Sequence, residues 1–268
     1  MLQSRYLRSK VMLNLALSPK KKACAVMQPY LFPYIGYFQL IEKSSTFVYY
    51  DDVSYIKKGW INKNTLSNRG KKTRLTLPVN KSSQNNLICN IKCHVSHFWF
   101  SKLEKTLWHF YKDAPNYSKV SELTLTVFSS FLDREDSFIA DISIASIKIV
   151  CEYIGLERKF LKSSELTVSD TKNKSDRLIL ICKKTRINKY INMIGGSVLY
   201  DKHYFKKSGI DLVFLKPQLN PYYQGDFDFV PSLSVIDSMM HFDREQSELN
   251  QPKSRQWKGQ MEHIYTSM

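Results

Sequence analysis

The sequence predicts an α/β domain: a mostly parallel sheet with flanking helices, a β-hairpin and an inserted helical block. Strand-like and helix-like segments alternate at both ends of the chain, the pattern that builds parallel sheets. A run of helical segments separates those ends. No linker-like stretch divides the 268 residues into independent units.

Ala23-Cys24-Ala25-Val26-Met27 reads as a short buried strand. Gln28-Pro29-Tyr30-Leu31-Phe32-Pro33-Tyr34-Ile35-Gly36 cannot be regular structure, because each proline lacks a donor and drives its predecessor toward extended geometry. A helix is expected from about Tyr37 to Lys43. Thr46-Phe47-Val48-Tyr49-Tyr50 is a β-prone strand that ends at Asp51-Asp52. Tyr55–Asn64 leads into a hairpin, with Asn68-Arg69-Gly70-Lys71 as its turn and Arg74–Val79 as the return strand. Leu87, Cys89, Ile91, Cys93 and Val95 alternate with polar residues, the pattern of a half-buried strand. Helices follow at about 98–112, 118–132 and 142–154. The C-terminal third offers a short strand at Lys159–Lys162, a helix at Asp176–Lys184, a strand core at Ile210–Leu215 and a short apolar helix at Ser234–Met240.

Three regions are expected: a basic, disordered extension at 1–22, a single α/β domain at 23–245 and a polar tail at 246–268. The apolar stretch Val11–Leu17 is interrupted by Asn14 and followed by Pro19 and three lysines, which does not suit a signal peptide. No apolar run reaches the roughly 20 residues that span a bilayer. The five cysteines are few, odd in number and mostly set in apolar segments, which suits reduced thiols and a cytoplasmic protein. The formal net charge is +16, of which residues 1–22 carry +6 without an acidic residue. Such a surface favours anionic partners, whether nucleic acid, lipid headgroups or phosphorylated small molecules. Charge alone does not choose among them, and a solvated lysine-rich surface is the plain alternative.

The loop after the first strand lies at the carboxyl edge of the sheet, where open α/β sheets bind ligands. It carries Gln28, Tyr30, Tyr34 and Gly36, with Tyr37 just beyond. The glycine is read as permitting close approach of a ligand, and the following helix offers free N–H groups to an anion. Asp51 and Asp52 end the next strand and should share that edge. A carboxylate there can orient a sugar hydroxyl, deprotonate an amine or hold a metal. The bland alternatives are a rigid proline turn and a strand-end turn. Lys57, Lys58, Trp60, Asn62 and Asn64 add cations for phosphate, a flat ring for a sugar or base, and two amides. Asn192, Gly195, Gly196 and Tyr200 form a second candidate loop, suited to wrapping an anion or a sugar. Gln224 follows. Asp237, inside an apolar helix, calls for a partner, such as a basic residue of the first site.

Cys89-x3-Cys93-His94-x2-His97 has the ligand types of a zinc cluster. On a strand, however, the cysteines and His94 face opposite ways, so no metal site is read there. There is no nucleophile elbow, Walker loop, zinc-peptidase motif or full dinucleotide glycine fingerprint.

The segments Gln28-Pro-Tyr-Leu-Phe-Pro-Tyr-Ile-Gly-Tyr-Phe-Gln-Leu-Ile41, Tyr50-Asp-Asp52 and Lys57-Lys-Gly-Trp-Ile-Asn-Lys-Asn64 resemble the WbqC-like proteins. Tyr111–Pro115, Ile194–Tyr200 and Leu233–Asp237 agree, and the likeness covers about 23–242. Lys63 stands where arginine is expected in many relatives. The family is associated with O-antigen and other surface-polysaccharide genes. The resemblance therefore implies work on nucleotide-linked amino sugars, attaching an acyl or aminoacyl group to a sugar amine. The layout from Pro33 to Ile41 is also similar to nucleotidyltransferase-like folds. Tyr34 and Tyr37 replace their histidines, so adenylyl transfer is not carried over.

The leading reading is a cytoplasmic transferase. Lys58 and its basic neighbours hold a diphosphate, and Asp51 or Asp52 deprotonates the accepting amine. Its partners are a nucleotide-linked sugar and an acyl or aminoacyl donor, with no tightly held cofactor. The second reading is a glycosyltransferase acting on a lipid-linked acceptor at the inner membrane face. There, the basic extension rests on anionic lipid and the aspartates hold a divalent metal. A non-catalytic sugar-binding or assembly protein is the third. Nucleic-acid binding comes last, because no recognised module accompanies the charge.

Overall fold

The computed structural model describes residues 22–80, 85–168, 171, 173–242 and 263–266. The extension at 1–21 and most of the tail lie outside the described residues. The strands are β1 (Cys24–Met27), β2 (Thr46–Tyr49), β3 (Lys63–Asn68), β4 (Lys71–Thr76), β5 (Lys159–Lys162), β6 (Lys189–Met193), β7 (Asp211–Pro217) and β8 (His263–Thr266). The helices are α1 (Ile35–Lys43), α2 (His97–Tyr111), α3 (Tyr117–Ser129), α4 (Ile139–Ile154), α5 (Lys174–Lys184), α6 (Lys202–Lys207) and α7 (Val235–His241).

The main sheet has the order β5-β2-β1-β6-β7-β8. Its first five strands are parallel, and β8 runs antiparallel to β7. The predicted α/β class is therefore the observed one. Both faces of the strands are covered, which is why β1 and β2 read as unbroken apolar runs. Ala25, Phe47, Tyr49, Ile191 and Leu215 pack against α1 and α4. Cys24, Val26, Val48, Tyr190 and Phe214 pack against α5 and α6. From β1 the chain moves outward through α1 to β2, and much later to β5. It then returns across the other face through α5 to β6 and continues through α6 to β7. Thus β1 and β6 are neighbours from which the chain leaves in opposite directions. This is the switch point at which doubly wound sheets open a crevice beyond their carboxyl ends.

The long crossover from β2 to β5 holds the β3–β4 hairpin and helices α2, α3 and α4. The hairpin turns through Arg69 and Gly70, at φ 49° and 74°. That left-handed pair matches the strand twist and explains the glycine. Trp99, in the first turn of α2, donates its indole N–H to Thr76 O at 2.9 Å, tying the helical block to the hairpin.

The segment 87–95 is not the strand its alternation suggests. Ile88–Asn90 forms a single 3₁₀ turn, and Ile88 is fully buried. The turn shifts the parity, so only Ile91, Cys93 and Val95 keep the alternating burial. Isolated bridges to Ser54, Val79, Phe138 and Leu132 take up the backbone instead. Strand β6 and helix α6 were not anticipated.

Candidate functional site

The Gln28–Tyr34 loop is irregular, so its backbone groups need partners from elsewhere. Leu31 N–H donates to Trp60 O at 3.1 Å, and Val235 N–H to Pro33 O at 3.0 Å. Phe32 N–H donates to Ser146 Oγ at 3.0 Å. Asn64 Nδ2 donates to Leu31 O at 2.9 Å and Phe32 O at 2.6 Å. Ser234 Oγ also donates to Phe32 O, at 2.8 Å. Tyr37 is a core residue whose hydroxyl donates to Gln28 O at 2.9 Å. These tethers hold Phe32 at φ 40°, a conformation that a bulky residue does not adopt unaided.

The braced loop forms one wall of a cavity of about 320 Å³, lined by Tyr30, Pro33, Tyr34, Trp60, Asn64, Pro217, Leu219 and Ser232. Burial raises the pKa of Tyr30, and burial together with Tyr30 pushes that of Tyr34 up to about 12. Both phenols therefore stay neutral near pH 7. No lining residue carries a formal charge. The cavity suits an uncharged ring or acyl group, and its size lies at the small end for ligand sites. Gly36 serves this wall in an unexpected way. A Cβ there would lie 2.4 Å from Tyr34 Cε2, so what approaches the glycine is the Tyr34 ring rather than a ligand.

The two aspartates divide the work at the end of β2. Asp51 is buried and both of its carboxylate oxygens accept hydrogen bonds. It accepts from Ser163 Oγ at 3.1 Å, Ser164 N–H at 3.0 Å and Ser164 Oγ at 2.7 Å. It thereby joins the carboxyl ends of β2 and β5. Asp52 is less enclosed and bonds Ser163 Oγ and the Arg177 guanidinium. Arg177, in the first turn of α5, also lies 5.7 Å from the Tyr50 ring centroid. From the end of β2 to that of β7 there are three strand spacings, or about 14 Å. The cavity spans from the loop after β1 to the end of β7, so Asp52–Arg177, at the end of β2, stands further along the same edge.

The remaining candidates fall into three settings. Lys57 and Lys58 are exposed, and Trp60 is half-exposed at the cavity mouth. Asn62 is buried and braces the hairpin, donating to Leu77 O and accepting from Tyr55 OH, each at 2.8 Å. Asn192 lies near the end of β6, and Gly195, Gly196 and Tyr200 follow that strand at the same sheet edge, all outside the cavity lining. A Cβ on Gly196 would meet Asn192 Nδ2 at 2.5 Å, so the turn is closed around that amide.

Asp237 is fully buried and finds neutral donors rather than the basic partner expected. It accepts from Tyr111 OH and Tyr222 OH, each at 2.8 Å, and from Gln224 Nε2 at 3.0 Å. Gln224 in turn bonds Val230 through both N–H and C=O. Asp237 therefore braces the segment that carries Leu219 and Ser232 to the cavity.

Sequence reading missed Ser163, Ser164, Arg177, Pro217, Leu219 and Ser232. Ser163, Ser164, Pro217 and Leu219 stand at or just after the carboxyl ends of β5 and β7, whereas Arg177 and Ser232 lie further along the chain and reach the edge only through the fold. At the histidine–cysteine segment, the Cys93 thiol donates to Ser137 O at 3.6 Å. His97 lies 2.9 Å and His94 3.7 Å from Asp133. No group of three or more metal-ligating side chains converges among the described residues.

The sequence matches the WbqC-like protein family over residues 28–249. It is 20% identical over 225 residues to the uncharacterized protein Rv1507c of Mycobacterium tuberculosis, covering 84% of this chain and 95% of that protein. No solved structure matches. The family match spans the braced loop, the aspartate pair, the hairpin and the Asp237 network, and the chain belongs to the WbqC-like protein family.

Proposed function

We propose that this protein is a transferase of surface-polysaccharide biosynthesis that places an acyl or aminoacyl group on the amine of a nucleotide-linked amino sugar. The carrying observation is the edge itself, where an uncharged aromatic cavity and a carboxylate–guanidinium pair share the carboxyl ends of one set of strands. A nucleotide sugar has this polarity, with neutral rings on either side of a charged diphosphate. The cavity receives a neutral ring, and Lys57, Lys58 and Arg177 offer cations to the diphosphate. Gln28, just after β1, and Asn192, near the end of β6, stand at the same sheet edge.

A protonated amine has no lone pair for attack, so a base must take its proton. Asp52 fits this role better than Asp51 because it is less enclosed, and its Oδ2 is freed to act as base when Arg177 turns from it to the diphosphate. The amine nitrogen then bonds to the carbonyl carbon of an activated acyl donor, and the donor's leaving group departs with the electron pair of the broken bond. Asp51 positions the end of β2 on which Asp52 stands.

The test is Asp52→Asn, with product followed by mass spectrometry and nucleotide-sugar binding followed by thermal shift. Transfer should fall by a factor of about 10²–10⁴ while binding persists. Unchanged turnover would remove Asp52 from the reaction.

A further inference from the structure

Residues 53–103 contain ten lysines and arginines and no aspartate or glutamate. Seven of the ten gather on the hairpin and the turn before it: Lys57, Lys58, Lys63, Arg69, Lys71, Lys72 and Arg74. None makes an ion pair among the described residues. Cross-strand register puts Arg74 opposite Thr65 and Lys72 opposite Ser67, on the same hairpin face as Lys63. Partial burial, with the like charge of Arg74 added, lowers the pKa of Lys63. The hairpin thus brings Lys63, Lys72 and Arg74 together on one face, with Lys71 on the other, and none of them has a counterion among the described residues. Amid them, Ile56 and Trp60 are each 48% exposed.

From this arrangement we infer that the hairpin and its preceding turn form a docking surface for an anionic lipid bilayer. The strands are six residues long, so the charged face extends roughly 20 Å, more than one diphosphate occupies. An aliphatic and an indole side chain among lysines is the composition of an interfacial contact. The apolar groups enter the headgroup region while lysine stems snorkel to the phosphates. Ile56 has no comparable use against a nucleic acid, where flat rings stack on bases. Because Trp60 also lines the cavity, docking turns the cavity mouth toward the lipid. This inference stands independently of the reaction proposed above.

The test uses the full chain in vesicle flotation, comparing phosphatidylcholine alone with phosphatidylcholine containing phosphatidylglycerol, at low and high salt. Binding should require the anionic lipid and weaken with salt. The triple variant Lys71→Gln, Lys72→Gln and Arg74→Gln alters exposed side chains only. It should lose roughly 100-fold in partitioning, at about 1 kcal/mol per basic residue. Vesicles with brominated acyl chains should quench tryptophan emission in the parent and much less in Trp60→Phe. Equal binding to neutral vesicles, no effect of the triple variant, or tighter binding to a short RNA or DNA duplex at the same salt would each overturn the inference.

Discussion

Gly36→Ala tests whether the start of α1 is built around an aromatic ring. In an unobstructed helix this change stabilises by about 1 kcal/mol, because glycine loses more backbone freedom on folding. Gly36 is buried in the first turn of α1, and an added Cβ would lie 2.4 Å from Tyr34 Cε2 and 2.7 Å from its Cζ and Oη. Favourable carbon contacts lie at about 3.5–4.0 Å, so the ring or the helix start must move. Such overpacking costs about 1–3 kcal/mol. Set against the helix gain, the net change should be a loss of roughly 0–2 kcal/mol. In a Tyr34→Ala background the obstruction is gone, and Gly36→Ala should stabilise by about 1 kcal/mol. Urea unfolding of the four proteins in this cycle should therefore give a coupling of about 1–3 kcal/mol. Gly36→Ala alone should also weaken ligand binding, since Tyr34 forms a cavity wall. If Gly36→Ala stabilised both backgrounds equally, the close approach of the Tyr34 ring would have no energetic meaning and the account of Gly36 would fail.

Two further outcomes follow from the same geometry. Asn64→Ala removes the donor to Leu31 O and one of two donors to Phe32 O, and should cost about 2–4 kcal/mol in urea unfolding. Asn62→Ala should show a comparable loss, because it strands Leu77 O and Tyr55 OH. Only the Asn64 change should abolish ligand-induced thermal shift; loss in both would show that the cavity merely follows global stability. His241 provides a pH test. Burial lowers its pKa below the ordinary 6.5, against the opposing pull of Asp237. The unfolded chain therefore binds the proton more readily, and stability rises with pH in that range. The melting temperature should fall as pH drops from about 6.5 toward the lower folded value, and His241→Phe should flatten that slope; an unchanged slope would assign the effect elsewhere.

The sequence announced the parts whose physics is local. β1, β2 and β7 were legible as apolar runs, and the hairpin as β-prone segments around Arg69-Gly70. Pro29 and Pro33 exposed the cavity-lining loop by forbidding regular structure. Lys189–Met193 escaped notice because Lys189 and Asn192 interrupt its few apolar residues, although it is central to the sheet. Leu87–Val95 misled because its alternation is interrupted by one turn at Ile88. The site was half legible for a related reason. Tyr30, Tyr34, Trp60 and Asn64 lie in a marked stretch, whereas Arg177, Pro217 and Ser232 join it only through strand order. Asp237 was visible as a buried carboxylate, but two phenols and an amide are not identifiable as its partners from spacing.

The hydrogen bond from Ser234 to Phe32 joins residues 202 positions apart. During synthesis at about 5–20 residues per second, Phe32 leaves the ribosome roughly 10–40 s before its partner exists. Ser146 and Asn64 arrive in between, so the tethers reach the loop one after another. The cavity wall therefore acquires its final shape only when almost the whole domain is available. A chain shortened before Ser234 would keep most of the apolar core of α1 to α4 and still present an unfinished loop. Formation of the cavity would then report completion of the chain more strictly than secondary structure does.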